Sequence, residues 1–291
     1  MYDVIIIGAG PAGISAGLYA KRANLNVLII YKKQENSALE KTHKIENYYG
    51  FENGIDGGAL YQAGIKQAQN LGIKLIDEEV TNISTDGKDF NVETLKEDFK
   101  ARSIILATGN KRNKPNINGI DEFEGKGISY CAICDGFFFR NKNVAIIGDG
   151  DYAISETNDL VNLVNTATVL TNGNQSLKLE GFRANNVEIN NKEIKSIEGT
   201  NKVEKVLFKD DSSIDVDGIF IAQGVAGSTE FAKKLGVQIN RDKIVVDENM
   251  KTTLDGLYAC GDCTGGIYQV SKAVYEGTKA GLGVIKYLKN N

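Results

Sequence analysis

The sequence predicts an α/β protein of two domains with parallel sheets, the second domain inserted into the first. Three observations predict this fold. At two places a glycine-rich turn follows an apolar strand and precedes a helix, and each helix leads into another apolar, β-rich run. Repeated strand–helix–strand units indicate parallel sheets wound in the Rossmann manner, as in FAD- and NAD(P)-binding domains. The 291 residues, 42% hydrophobic and 25% charged, suffice for two cores.

The first domain opens with the strand Val4–Ile7 and the glycine turn Gly8–Gly13. A helix is predicted from about Ile14 to Arg22, and a second strand over Asn26–Tyr31. Alternating apolar residues predict further strands at Lys74–Ile83, Asp89–Leu95 and Ser103–Leu106.

The polar segment Asn110–Asn118 predicts the domain boundary, so we expect a first domain of 1–113 with 227–291 and an insert of 114–226. The insert repeats the strand–turn–helix–strand pattern: Asn143–Ile147, Gly148–Ala153, a helix to about Leu163, and Ala167–Leu170. Later elements are the strands Lys202–Phe208, Gly218–Ala222 and Leu257–Cys260 and a helix from about Val270 to Leu288.

Charge and hydropathy restrict the partners. The formal net charge is 34 minus 38, or −4, which gives no reason to expect nucleic acid or an anionic membrane. No stretch approaches the roughly 18 apolar residues of a membrane span. The chain opens on a buried strand without a signal-peptide pattern, so we expect a cytoplasmic protein.

The first glycine turn predicts a dinucleotide site. Gly8 permits the tight turn, Gly10 lets the backbone approach a pyrophosphate, and Gly13 lets helix and strand pack closely. The phosphates would then lie on free N–H groups at the helix N-terminus. No Asp or Glu ends the second strand, where Tyr31–Lys33 stands instead. The alternative is a structural turn that binds nothing.

Two distant segments favour FAD over NAD. Ala107–Gly109 and Gly261–Asp262 each follow an apolar strand. Asp262 precedes a helix that begins near Gln269 and Val270. In flavoproteins such an aspartate can hold the ribitol chain, and the helix end can stabilise negative charge on the reduced flavin.

The four cysteines form two pairs, each with two intervening residues. In the cytoplasmic protein expected here, this favours redox or metal chemistry over a structural disulfide framework. Cys131 and Cys134 predict a redox dithiol whose thiol pKa is lowered by the helix N-terminus and the neighbouring sulfur. Asp135 is the candidate acid for the leaving thiolate. The alternative is a zinc site made with Cys260 and Cys263.

For Cys260 and Cys263 themselves the sequence favours small buried positions beside the cofactor, as free cysteines often occupy. A second redox relay at this pair is the alternative.

These motifs, in this order and spacing, closely resemble the small bacterial-type thioredoxin reductases over nearly the whole chain. The segments that carry the resemblance are Gly8–Gly13, Glu46–Gly50, Ala107–Gly109, Cys131–Gly136 and Gly261–Asp262. The resemblance implies an FAD domain interrupted by a pyridine-nucleotide domain, a homodimer, and a domain rotation that carries the dithiol between flavin and thioredoxin. It implies that Cys134 faces the flavin, Cys131 attacks thioredoxin and Asp135 is the acid.

The residues expected to contact FAD lie in the glycine turn, at strand ends and at the start of the last helix. They are Gly8, Gly10, Pro11, Ala12, Gly13, Tyr31, Lys32, Asn47, Val80, Ala107, Thr108, Gly109, Gly261, Asp262, Gln269 and Val270. No metal ligands are predicted.

The sequence departs from the family where NADPH would bind. The family's His-Arg-Arg run, which grips the 2′-phosphate, is replaced by Leu170–Gln175, without a cation. Each charge-assisted hydrogen bond lost is worth roughly 1.5–3 kcal/mol. Asp149 places a negative charge where a pyrophosphate would lie, Tyr152 replaces a small residue, and Asn36–Ala38 replaces a Gly-Gly-Gln on the flavin side.

The departures resemble the ferredoxin-dependent flavin thioredoxin reductases, in which reduced ferredoxin delivers single electrons to FAD. To dock an acidic ferredoxin, this chain would need a locally basic face, for which Lys111, Arg112 and Lys114 are candidates. Two alternatives stay open: an NADPH- or NADH-dependent thioredoxin reductase, and a flavin redox sensor without turnover.

Overall fold

The structure is a computed structural model. It describes residues 1–33, 39, 42, 44–109, 115–224, 227–241 and 243–291, with the backbone but not the side chain of Cys134.

Helices and strands alternate along these residues. The helices are α1 (Pro11–Arg22), α2 (Gly57–Asn70), α3 (Ile120–Phe123), α4 (Ala132–Asp135), α5 (Asp151–Leu160), α6 (Ser228–Lys234) and α7 (Val270–Asn290). The strands are β1 (Val4–Ile7), β2 (Val27–Tyr31), β3 (Lys74–Asp77), β4 (Asn82–Thr85), β5 (Phe90–Glu93), β6 (Asp98–Ala101), β7 (Ile104–Leu106), β8 (Ile128–Ser129), β9 (Asn143–Ile147), β10 (Thr166–Leu170), β11 (Val187–Asn190), β12 (Ile194–Glu198), β13 (Lys205–Phe208), β14 (Ser213–Asp215), β15 (Gly218–Ile221), β16 (Ile239–Asn240), β17 (Lys243–Ile244) and β18 (Leu257–Ala259).

The chain forms two compact units, and the first comprises Met1–Lys111 with Gly227–Asn291. Its parallel sheet has the order β18-β7-β1-β2-β3. β1, β7 and β18 are buried along their whole length, because both faces of each strand carry apolar side chains. The order sets the carboxyl ends of these three strands side by side.

α1 and α7 of this unit pack at close backbone distance. A Cβ on Gly277 would lie 2.1 Å from the carbonyl oxygen of Ala12, and one on Gly281 would lie 2.7 Å from that of Ala16. Glycine is therefore required for this approach. Smaller sheets, β4-β5-β6 and β16-β17, are antiparallel.

The second unit comprises Arg112–Ala226. Its parallel sheet has the order β11-β10-β9-β15-β8, and an antiparallel sheet, β12-β13-β14, follows. Its apolar core includes Ile120, Ile147, Phe208 and Ile219. The two units thus confirm the predicted class, two Rossmann-like folds with the second inserted into the first.

Several predicted elements have different bounds. α1 begins at Pro11 rather than about Ile14, because proline suits the first helical position. The predicted strand Lys74–Ile83 is two strands, β3 and β4, in different sheets. α5 ends at Leu160, short of Leu163, and β13 begins at Lys205 rather than Lys202.

The sequence analysis did not identify α2 or β6. α2 contains three glycines, which hide its helical pattern, yet it has a helix-start signal: the Asp56 side chain accepts a hydrogen bond from the Ala59 N–H at 2.9 Å. Among the described residues no helix is both long and apolar enough to cross a membrane.

Candidate active site

The first glycine turn has the geometry of a dinucleotide cradle. Gly8 has φ +111°, and a Cβ there would lie 2.4 Å from the carbonyl oxygen of Ala107. A Cβ on Gly13 would lie 2.0 Å from the carbonyl oxygen of Gly8, whereas one on Gly10 would meet nothing within 4 Å. Gly8 and Gly13 are therefore fixed by packing, and the space in front of Gly10 is open.

The helix that follows can hold an anion. α1 begins at Pro11, directly after Gly10, and no side chain caps it. The first N–H groups of a helix have no acceptor within the helix, so those at the start of α1, including Ala12 and Gly13, can bind phosphate oxygens. The residues at this turn thus fit the pyrophosphate of a dinucleotide.

The sheet brings the distant FAD segments to the same edge. β1, β7 and β18 are adjacent and parallel, so Gly8, Ala107–Gly109 and Gly261–Asp262 all leave its carboxyl end. Tyr31 and Lys32 leave the next strand, β2. Ligands of open α/β sheets bind at this end of the strands.

Thr108 is fixed by a residue that the sequence analysis missed. The Thr108 N–H donates to Ser228 Oγ at 3.1 Å, and the Ser228 N–H donates to Thr108 Oγ1 at 2.7 Å. Ser228 is the first residue of α6 and is 1% exposed. This reciprocal pair holds the Ala107–Gly109 segment in place, and no sequence pattern links the two residues.

Asn47 and Gln269, 222 positions apart, meet in the structure. Asn47 Nδ2 donates to Gln269 Oε1 at 2.9 Å. Gln269 precedes Val270, the first residue of the 21-residue helix α7. Two predicted FAD contacts are therefore joined at a helix N-terminus, where partial positive charge favours an anionic group.

Three other predicted FAD contacts differ in environment. Val80 is 5% exposed, whereas Lys32 is exposed. Burial, and then the Asp77 carboxylate, raise the pKa of Tyr31, so this phenol stays protonated at neutral pH. The same carboxylate accepts the Lys33 N–H at 2.9 Å, which fixes the chain as it leaves β2.

Gly261 and Asp262 are held from α7. Gly261, with φ +84°, donates its N–H to Glu276 Oε2 at 2.9 Å and accepts from Lys272 Nζ at 2.8 Å. Burial raises the pKa of Asp262, against the opposing effect of the Lys272 and Lys243 ammonium groups. Lys272 and Glu276 were not identified from the sequence, although lysine and glutamate four residues apart on a predicted helix are a recognisable pair.

The second unit positions the dithiol at the end of β8. Cys131 is disulfide-bonded and 3% exposed. α4 is a single turn, closed by the Asp135 N–H donating to the Cys131 carbonyl oxygen at 3.1 Å. The predicted role of Cys134 concerns a side chain outside the described residues.

A serine connects Cys131 with Asp135. The Cys131 N–H donates to Ser129 Oγ at 3.1 Å, and Ser129 Oγ donates to Asp135 Oδ2 at 2.6 Å. The carboxylate is therefore oriented beside the dithiol turn. Ser129 was missed because serine is common at strand ends and gave no distinct signal.

A buried carboxylate caps the dithiol turn. Glu156 is 1% exposed, and its Oε2 accepts the Ala132 N–H at 2.7 Å. We expected the helix N-terminus to lower a thiol pKa. α4 is one turn long and a carboxylate accepts this N–H, so the lowered thiol pKa stays a prediction.

The model of the pyridine nucleotide-disulphide oxidoreductase family matches residues 2–277. The chain belongs to this family. It is 34% identical to a thioredoxin reductase of Listeria monocytogenes, over 99% of this chain and 94% of the relative. A thioredoxin reductase of Bacillus subtilis is 32% identical, over 99% of this chain and 95% of that relative.

Two solved structures are similar over the whole chain. The atypical thioredoxin reductase TRi of Desulfovibrio vulgaris Hildenborough has a TM-score of 0.89 and 35% identity, covering 100% of this chain and 99% of that one. A ferredoxin-flavin thioredoxin reductase of Clostridium acetobutylicum has a TM-score of 0.72 and 34% identity, with the same coverage. The chain is thus a homologue of low-molecular-weight thioredoxin reductases, a flavoprotein oxidoreductase with FAD as its cofactor.

Two of the positions where the second unit departs from the family, Asp149 and Asn174, contact each other. Asn174 Nδ2 donates to Asp149 Oδ2 at 2.8 Å. Asn174 Oδ1 accepts the Ser176 N–H at 2.9 Å, and the Thr171 hydroxyl donates to the Asn174 carbonyl oxygen. The segment Leu170–Gln175, which stands in place of the family's His-Arg-Arg run, is therefore hydrogen-bonded to the Asp149 carboxylate in the second glycine turn.

The second cysteine pair is free and fully buried, which confirms its predicted buried placement. Cys263 Sγ donates to the Cys260 carbonyl oxygen at 3.3 Å. Burial raises the pKa of Cys263 to about 12 and that of Cys260 well above its ordinary value. Neither sulfur is a thiolate at neutral pH, which disfavours the relay.

The zinc alternative would use Cys131 and Cys134 together with Cys260 and Cys263. A sulfur in a disulfide, as at Cys131, is not a metal ligand. Within the described ranges, no three His, Cys, Asp or Glu side chains are grouped as a metal site requires.

Two further sets of predicted residues lie outside the described residues. They are Asn36–Ala38, on the flavin side, and the candidate ferredoxin-docking residues Lys111, Arg112 and Lys114.

Proposed function

We propose that this chain is a thioredoxin reductase that receives its electrons from reduced ferredoxin rather than from NADPH. The contact between Asp149 and Asn174 carries the proposal. It is supported by a relative whose name is ferredoxin-flavin thioredoxin reductase and by relatives named thioredoxin reductases. We further expect a cytoplasmic homodimer with an FAD domain of 1–113 and 227–291.

The argument about the donor is electrostatic. A pyridine nucleotide places its pyrophosphate at the glycine turn after the first strand of its domain, here at Gly148–Gly150. Asp149 would oppose that charge, and its partner Asn174 is a neutral amide. Binding NADPH would break this hydrogen bond and bring phosphate next to a carboxylate without a cation from Leu170–Gln175 to compensate.

FAD, when bound, supplies a carrier that takes electrons singly and passes them on in pairs. Two reduced ferredoxins, each a one-electron donor, supply the pair. The Cys131–Cys134 disulfide takes up two electrons and two protons and opens to two thiols. The Cys131 thiolate attacks the thioredoxin disulfide to give a mixed disulfide. Cys134 then displaces thioredoxin, which leaves with two thiols while the disulfide reforms.

Asp135 is proposed to manage the proton of this exchange. A leaving thiolate needs a proton donor, and Asp135 lies one turn from Cys131. Ser129 Oγ donates to Asp135 Oδ2 and so holds the carboxylate beside the dithiol turn. Ser129 is therefore proposed as a positioning residue and Asp135 as the acid.

The surface beside the dithiol suits a protein substrate. Phe137 and Phe138 are 69% and 70% exposed, and Ile133 of α4 is 52% exposed. Large apolar side chains exposed together are unusual and typically mark protein interaction sites. This surface supports thioredoxin, rather than a small disulfide, as the acceptor.

Anaerobic titration of the purified holoenzyme tests the donor. We expect reduced ferredoxin to bleach the flavin absorbance and to drive thioredoxin reduction, whereas NADPH and NADH do neither. Dithionite is the control that shows the flavin to be reducible.

The other outcomes identify the competing functions. Stoichiometric bleaching by NADPH or NADH would replace the ferredoxin proposal with a pyridine-nucleotide-dependent reductase. Slow thioredoxin reduction with every donor, despite bleaching by dithionite, would indicate a redox sensor.

A further inference from the structure

We propose that Lys272 and Glu276 are positioning residues that clamp Gly261 and so set the affinity of FAD through Asp262, and that their two charges tune the redox potential of the bound FAD. Neither residue is among the expected FAD contacts. The inference concerns the FAD unit alone and holds for any electron donor.

The clamp holds both backbone polar groups of one glycine. Glu276 Oε2 accepts the Gly261 N–H at 2.9 Å, and Lys272 Nζ donates to the Gly261 carbonyl oxygen at 2.8 Å. The two side chains form an ion pair of 2.9 Å across one turn of α7. The peptide groups before and after Gly261 are thus both fixed to the helix.

A threonine completes the set. Lys272 Nζ donates to Thr264 Oγ1 at 3.1 Å. The Thr264 hydroxyl has two acceptors within reach for its one hydrogen, the Gly261 carbonyl oxygen at 2.7 Å and Glu276 Oε2 at 2.9 Å. Each of the three N–H bonds of the Lys272 ammonium group therefore has an acceptor: the Gly261 carbonyl oxygen, Thr264 Oγ1 and Glu276 Oε2. When every polar group of a buried ion pair is hydrogen-bonded, the pair is rigid and the desolvation cost of its charges is offset.

Burial gives the clamp its strength. The side chains of Lys272 and Glu276 are 12% and 13% exposed, so water competes little for their hydrogen bonds. Surface ion pairs of the same spacing, such as Lys251–Asp255 with side chains 37% and 79% exposed, lack this protection.

The clamped segment is the one that presents Asp262. Gly261 has φ +84° and ψ −154°, a conformation open almost only to glycine. Asp262 follows directly and starts the short turn Asp262–Thr264. Cys263, in the same turn, is fully buried. The Asp262 backbone is therefore fixed from both sides, with its side chain at the edge where the flavin's ribitol chain is expected.

The position of Lys272 runs against local preference. It is the third residue of α7, whose first turn has no acidic residue. A cation there is unfavourable because helix N-termini carry partial positive charge. A residue that breaks a local rule while making three buried contacts is typical of a functional position.

The test compares Lys272→Met and Glu276→Gln with Lys286→Met, an exposed lysine of the same helix. We expect both clamp variants to raise the Kd for FAD about tenfold, the size of one charge-assisted hydrogen bond. The control variant should keep the original Kd.

The midpoint potential of the bound flavin separates a charge effect from simple loosening. Reduction makes the flavin more negative, so loss of the Lys272 cation should lower the potential. Loss of the Glu276 anion should raise it. A tenfold change in the ratio of affinities for reduced and oxidised FAD corresponds to about 30 mV in each direction. Shifts of the same sign in both variants, or none, would overturn the proposal.

A single change strands a buried charge and can prevent folding. The double variant Lys272→Met/Glu276→Gln avoids this. It should fold and bind FAD about tenfold more weakly than the original protein. Unchanged FAD affinity in the double variant would show that the pair does not act on the flavin site.

Discussion

At the scale of single residues, hydrogen bonds orient the chemistry beside the dithiol. Ser129 Oγ accepts from the Cys131 N–H and donates to Asp135 Oδ2. One hydroxyl group therefore fixes the Asp135 carboxyl group relative to Cys131. Asp135 is therefore held at a set distance from the dithiol turn rather than sampling solvent. Its effect on turnover should depend on both its carboxyl group and its orientation.

Asp135→Asn should reduce the turnover of thioredoxin reduction about 100-fold, because proton transfer by a positioned group contributes roughly 10²–10⁴-fold. Ser129→Ala keeps the carboxyl group but loses its charge-assisted hydrogen bond, and should cost about tenfold. Steady-state rates at saturating thioredoxin measure both changes, and Asp98→Asn, at an exposed position of β6, is the control. Near-normal turnover in Asp135→Asn, or loss of its FAD, would contradict the acid role.

The sequence identified residues whose type and spacing carry the chemistry, such as Cys131, Asp135 and the glycines of the first turn. It did not identify Ser129, Ser228 or Glu156, because each acts on a backbone group or a side chain that only the fold brings near. A hydrogen bond such as Thr108 to Ser228, 120 positions apart, leaves no local pattern in one sequence.

At the scale of elements, buried strands and the glycine turns beside them were predictable, because β1 and β9 are continuous apolar runs. The split between β3 and β4 was not. Alternating apolar residues continue through Lys74–Ile83, and periodicity alone does not show that the chain changes sheets between them. The contact of α1 with α7 was also hidden, since it depends on residues far apart in the chain, such as Gly277 and Ala12, which are 265 positions apart.

Gly277→Ala should lower the thermal midpoint of unfolding by several degrees. The added methyl would lie 2.1 Å from the Ala12 carbonyl oxygen, and overpacking of this kind costs about 1–3 kcal/mol. Gly64→Ala, in α2, is the matched control. Its methyl would lie 3.7 Å from Ile14, an ordinary contact, and alanine favours a helix over glycine by about 1 kcal/mol. Calorimetry of the holoprotein should show opposite shifts; stabilisation by Gly277→Ala would refute the close packing.

At the scale of the whole molecule, the burial of Cys131 constrains how a protein substrate is reduced. Cys131 is 3% exposed, whereas Ile133 in the adjoining turn is 52% exposed. A sulfur this buried does not reach a disulfide on another protein without a rearrangement that exposes it. The resemblance to thioredoxin reductases implies a domain rotation, which stays a prediction that the burial of Cys131 supports.

Cys134→Ser should trap thioredoxin covalently, whereas Cys131→Ser should not. The probe is a thioredoxin that keeps one active-site cysteine, activated as a mixed disulfide with an aromatic thiol. Cys131 displaces the aromatic thiol, and because neither active site then holds a second thiol, the protein–protein disulfide persists. Intact-mass spectrometry measures the adduct. The control places an exposed thiol in the same turn, as Ile133→Cys with Cys131 and Cys134 replaced by serine. Because Cys131 must first become exposed, its labelling by a bulky maleimide should be at least about tenfold slower than that of the control. Trapping by Cys131→Ser would reverse the roles assigned to the two sulfurs. Equal labelling rates would remove the need for a movement that exposes Cys131.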